Sequence, residues 1–188
     1  MRLKSLLALC VTFMGLAGQH AWADLVANGN FATGDFTGWT SDASIVIDSA
    51  FVPPGDAYDA AFTGTGTLSQ TIATAAGQEY TLSFSLLDES ALSLDSFTVN
   101  FGGFSTTITG DTASTYQTEV FDIPGSYITD TNTILSFQGF NAFYGNWNLD
   151  DVSIVPVVAA VPEPSAGIIL GGAVLMLLSL RLRRIMTQ

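Results

Sequence analysis

Carboxylates are the groups in this 188-residue chain whose spacing best suits chemistry. They come in close sets: Asp88 beside Glu89, Asp150 beside Asp151, and Asp56 three residues before Asp59. Two carboxyls held roughly 5–10 Å apart across a cleft are the machinery of glycoside hydrolysis. Adjacent residues on a strand point to opposite faces, so a neighbouring pair is a poor acid–base couple unless a bulge turns one of them. Solvated turn carboxylates account for the same pairs, and no residue is assigned a catalytic role. Aromatic rings and amides offer a second chemistry, stacking and hydrogen bonding on sugar rings. The candidates are Trp39, Trp147, Phe143, Tyr144 and Asn146. Residues 140–146 (FNAFYGN) read as a loop that could expose rings and amides. Core packing is the competing reading for both tryptophans.

The composition removes most other chemistry. The five basic residues are Arg2, Lys4, Arg181, Arg183 and Arg184, all at the two ends. Cys10 and His20 also lie near the start, so residues 24–164 contain no Lys, Arg, His or Cys. The same stretch holds all 17 acidic residues. A serine–histidine triad or a thiol nucleophile is therefore excluded there. Zinc sites usually need His or Cys. Nucleic acid needs cations against its phosphates, and this field repels it. What remains suits sugars and hard cations such as calcium. No disulfide can form within residues 24–164, so a hydrophobic core must hold the domain.

The elements that position these groups are strands. Apolar residues alternate with polar ones, and turn residues separate the runs. The clearest case sets Tyr80, Leu82, Phe84 and Leu86 against Thr81, Ser83 and Ser85. Further strands are expected at residues 25–31, 45–47, 58–62, 68–72, 97–101, 104–109, 116–123, 134–140 and 144–155. Gly102-Gly103 should turn one strand into the next. Nine or ten short strands imply an all-β fold, a single jelly-roll-like β-sandwich over residues 24–156. The last strand holds an anomaly: Trp147 and Leu149 share one parity, Val152 and Ile154 the other. A β-bulge at Asp150-Asp151 would bring both pairs to one face.

The two ends read as addresses. Arg2 and Lys4, then an apolar run, then Ala21-Trp22-Ala23 make a secretory signal peptide over residues 1–23, cut by signal peptidase before Asp24. At the other end a linker, 157–164, carries Val161-Pro162-Glu163-Pro164. An apolar run of about 15 residues follows, roughly 22 Å as a helix and short of a bilayer core. Its flanks make it a membrane span over residues 165–182: prolines start it, glycines suit it, and Arg181, Arg183 and Arg184 mark a cytoplasmic tail, 183–188. The Pro-Glu-Pro box, the short helix and the Arg cluster together resemble the PEP-CTERM sorting signal. That resemblance implies retention in the membrane and processing near residues 161–164 by an exosortase. It further implies delivery to the surface or extracellular matrix of a Gram-negative-type bacterium that makes exopolysaccharide.

A second resemblance spans most of the domain. Residues 25–31 (LVANGNF) with Gly34 and Gly38-Trp39 resemble the opening of galactose-binding-like, carbohydrate-binding-module-like sandwiches. Residues 68–72 (LSQTI), 77–84 (GQEYTLSF) and 147–154 (WNLDDVSI) resemble the middle and the end of that family. The family often carries an acid just after the opening Phe, which helps hold a structural calcium. Here that residue is Ala32, so calcium would rest on Asp150, Asp151 and Asn28 with backbone carbonyls. The expected function is a non-enzymatic cell-surface or matrix protein with exopolysaccharide as its candidate ligand. A structural or adhesive component without a sugar ligand is the first alternative, and a carboxylate-dependent glycosidase the second.

Overall fold

The computed structural model describes residues 23–90, 94–110, 115–142 and 145–157. Among these residues, ten strands and a 3-10 turn, Gly125–Tyr127, make up the regular structure. One antiparallel sheet holds β1 (Thr40–Ser41), β4 (Gly66–Ala73), β9 (Asn132–Phe140), β6 (Ser96–Phe101) and β7 (Phe104–Thr109), in that order. The other holds β2 (Ile45–Asp48), β3 (Asp59–Phe62), β10 (Trp147–Pro156), β5 (Tyr80–Asp88) and β8 (Gln117–Ile123). The expected all-β sandwich is therefore present. Residues 1–22 of the signal peptide, with Ala21, and the tail with Val161, Pro162, Glu163, Pro164, Arg181, Arg183 and Arg184, lie outside the described residues, while Ala23 and Asp24 are exposed at the start of the described chain.

Alternation builds the core. In β6, Phe97, Val99 and Phe101 are buried while Ser96, Thr98 and Asn100 are half-buried. Each sheet gives one such apolar face, and the two meet around Phe97. Its ring lies 5.1 Å from Phe62, 5.5 Å from Trp147, 5.8 Å from Phe137 and 6.4 Å from Phe84. Tilted and edge-on pairs of this kind add roughly 0.5–1.5 kcal/mol each beyond area burial. Gly102 makes the β6–β7 turn because its φ of +60° suits the first turn position, where a side chain would also strike the Tyr127 carbonyl.

The bulge falls where parity placed it. β10 pairs with β5 as far as Asp150↔Ser85 and resumes at Ser153↔Ser83. Two residues, Asp151 and Val152, thus face the single residue Phe84, and Asp151 takes a φ of +52°. Trp147, Leu149, Val152 and Ile154 all enter the core as a result. The strand expected at residues 25–31 is corrected. Asn28 and Phe31 take positive φ values of 52° and 48°, which break extended backbone, and the segment runs as turns. It is still tied to β10, by Val152 N–H to Gly29 O at 2.9 Å and Leu25 N–H to Ile154 O at 3.0 Å.

Candidate functional site

The two outer faces of the sandwich differ in chemistry. On the first sheet, cross-strand register aligns Thr40, Ser69, Ser136, Asn100 and Ser105 in one row across five strands. A second row holds Thr67, Gln138, Thr98 and Thr107. Phe140, Ser96 and Thr109 form a third. The Thr98 and Thr107 hydroxyls bond at 3.0 Å, and Asn100 Nδ2 reaches Ser136 Oγ at 3.4 Å. None of these residues is charged, although the domain is acidic throughout. Ile134 (61% exposed) and Phe140 (45%) stand on the same face as apolar platforms. Hydroxyls and amides on a sheet, with exposed apolar side chains among them, can hydrogen-bond and pack against an uncharged polar chain.

The second sheet presents acids instead. Asp48 pairs with Asp59, and Asp150 with Ser85. Asp59 and Asp150 are fully buried. Burial pushes the Asp59 carboxyl up to about 6 against its bond from Tyr116, with Asp48 and Glu89 adding to the rise. Burial pushes Asp150 up to about 8 against the Asp151 N–H, with Asp151, Asp56 and Asp59 adding to it. The Tyr116 hydroxyl is raised, first by burial and then by its bond to Asp59. Asn148, also fully buried, gives its Nδ2 proton to Glu89 Oε1 at 2.9 Å.

Trp39 and Trp147 are corrected as sugar platforms, because both are core. Trp39 is 8% exposed, stacks on Phe31 at 5.8 Å and donates Nε1–H to Asn28 O at 3.1 Å. Trp147 is 2% exposed and packs on Phe97. An indole sealed between sheets has no free face for a sugar ring. Asn146 is half-buried and tied to Glu89 from both its carbonyl and its side chain. Phe143 and Tyr144 lie outside the described residues.

The neighbouring acids part company. Asp151 is exposed where Asp150 is buried. Asp88 is buried and accepts the Ser90 hydroxyl at 2.9 Å, with Asp95 on the other side of that serine. Of the three side chains named for calcium, Asn28 and Asp151 line one cleft of about 410 Å³ with Asp24, and Asp150 sits apart beside Asp59 and Asp56. Ala32 stays exposed. The hydroxyl face was visible in the sequence as the polar parity of four strands, but no residue type in it stood out.

Comparison with known proteins bears on the fold. The chain matches no family model and no curated protein. Solved structures do match. This chain has the fold of carbohydrate-binding modules. TmCBM61, in complex with β-1,4-galactotriose, aligns over 72% of this chain and 99% of its own at 16% identity and a TM-score of 0.57. The CBM22-1–CBM22-2 tandem from Paenibacillus barcinonensis Xyn10C covers 77% of this chain and 48% of its own at 17% identity and a TM-score of 0.54. An arabinose-bound α-L-arabinofuranosidase, MgGH51, covers 72% of this chain and 26% of its own at 16% identity and a TM-score of 0.54.

Proposed function

We propose that residues 24–157 form a non-catalytic module that binds a neutral polysaccharide on the outer face of the first sheet. The observation that carries this is the charge-free, five-strand array of hydroxyls and amides on a domain otherwise crowded with carboxylates. An acidic polymer would be repelled by that domain, and a neutral one would meet only hydrogen-bonding groups and two apolar side chains. The module fold of the solved relatives supports the reading. So does the lack of His, Cys, Lys and Arg between residues 24 and 164. The two ends complete it: a signal peptide for export, and a PEP-CTERM-like tail that would hold the precursor in the membrane for an exosortase and deliver it to the cell surface or matrix.

The full chain, purified in mild detergent, should bind neutral polysaccharides in pull-down and calorimetry. Thr98→Glu sets a charge in the middle of the second row and should weaken binding at least about tenfold while the fold survives. Phe143→Ala with Tyr144→Ala tests the loop that the sequence favoured. Binding untouched by Thr98→Glu but lost in the loop variant would move the site off the sheet. Hydrolysis of the same polysaccharides that vanishes with Asp150→Asn would overturn the non-catalytic reading.

A further inference from the structure

The outer face of the second sheet holds two carboxylates for which no described side chain supplies a counter-charge. β3 and β10 pair Phe62 with Trp147, Ala61 with Asn148 and Ala60 with Leu149, and Asp59 and Asp150 are the residues next along the two strands from the last of these pairs. Each carboxylate has one oxygen engaged. Asp59 Oδ2 accepts the Tyr116 hydroxyl at 2.5 Å, and Asp150 Oδ1 accepts the Asp151 N–H at 2.7 Å. The other oxygens, Asp59 Oδ1 and Asp150 Oδ2, are buried with no hydrogen-bond partner among the described residues. Asn148 Oδ1, two residues before Asp150 on the same strand face, is in the same condition. The charged groups nearby are Asp48, Asp56, Glu89 and Asp151, every one acidic. No Lys, Arg or His exists between residues 24 and 164 to answer them.

Burying a carboxylate is costly unless a cation or a proton meets it. The resemblance to carbohydrate-binding modules implies a structural calcium, and the residues named for it fit poorly as a set. Asn28 is occupied with its own loop, its Nδ2 on Asp35 O at 2.9 Å and its Oδ1 on the Thr33 N–H at 3.4 Å. Asp150 is not among the residues that line the cleft shared by Asn28 and Asp151. Among the described residues no three Asp, Glu, His or Cys side chains gather as a metal-binding group. Any site here must therefore combine fewer carboxylates with neutral oxygens.

We propose that a hard divalent cation, calcium by its oxygen ligands, is held between Asp59 and Asp150 with Asn148 Oδ1 as a neutral donor, and not between Asn28 and Asp151. Two carboxylates with a carbonyl, the remainder being water or backbone oxygen, is a donor set calcium accepts. The cation would tie β3 to β10 in the middle of their sheet. Tyr116, whose hydroxyl lies 2.9 Å from Phe51 O as well as on Asp59, would tie residues 49–58 to the same point.

The test uses the full chain in mild detergent, stripped with EDTA and titrated with calcium or with terbium as a luminescent stand-in. At a hundredfold excess over Kd, calcium should raise Tm by about 5–10 °C. Asp59→Asn and Asp150→Asn should each lower calcium affinity at least about tenfold, with circular dichroism unchanged. Asp24→Asn and Asp151→Asn should leave it alone. The proposal falls if calcium leaves Tm unmoved, if both Asp59→Asn and Asp150→Asn keep the wild-type response, or if Asp151→Asn alone removes it.

Discussion

Replacing Asp150 by Asn should stabilise the metal-free protein, and only at high pH. The side chain is fully buried on a strand, with Oδ1 fixed by the Asp151 N–H and Oδ2 without a partner. Asn keeps the acceptor at Oδ1 and puts a neutral amide where the unpartnered oxygen stood. Asp150 titrates near 8 in the fold, against an ordinary value of 3.8. A raised carboxyl contributes its stability below the ordinary value and loses it as pH climbs through the folded one. The loss therefore begins near pH 4 and is complete above about pH 8. A gap of about 4 pH units corresponds to about 5 kcal/mol at the top of that range. Asp59, at about 6, adds a smaller loss that is complete earlier. Urea melts in EDTA at pH 4 and pH 9 check this directly. At pH 4 wild type and Asp150→Asn should be close, because both carry a neutral group. At pH 9 the variant should be more stable by several kcal/mol, on the order of the 5 worked above. An equal difference at both pH values, or a variant less stable at pH 9, would refute the account of Asp150 as an unpaired buried acid.

Phe97→Ala opens a hole among Phe62, Phe84, Phe137 and Trp147 and should cost about 3–5 kcal/mol in chemical denaturation, with Thr98→Ala beside it costing little. If the tail is an address and not core, deleting residues 161–188 should release the protein from membranes into the soluble fraction with its circular dichroism unchanged. An unfolded truncation would show that the tail packs on the sandwich.

Much of the fold could be read from the chain. Period-two alternation located the strands because one face of each is buried, and Tyr80, Leu82, Phe84 and Leu86 show it without interruption. The parity switch between Leu149 and Val152 even located the bulge. The first strand failed for a local reason: residues 25–31 have strand-like composition, but Asn28 and Phe31 sit at positive φ, and pairing to β10 survives only as single bonds. The tryptophans failed for a global one. A large ring on a strand is equally suited to a core and to a sugar, and only the opposing sheet decides which it meets.

What the sequence determined by itself is the inventory: no nucleophile–base pair with His or Cys, no cation in the domain, carboxylates throughout, and every basic residue confined to the two ends. Those facts follow from composition and need no coordinates. Tertiary structure decided the neighbours. Ala60 and Leu149, 89 positions apart, are paired because β10 lies between β3 and β5. Thr40, Ser69, Ser136, Asn100 and Ser105 form one row because five strands from distant segments share a register. Strand alternation is a local property that a sequence carries. The order of strands in a sheet is fixed by long-range burial, and that order made an acidic chain into one neutral face and one charged one.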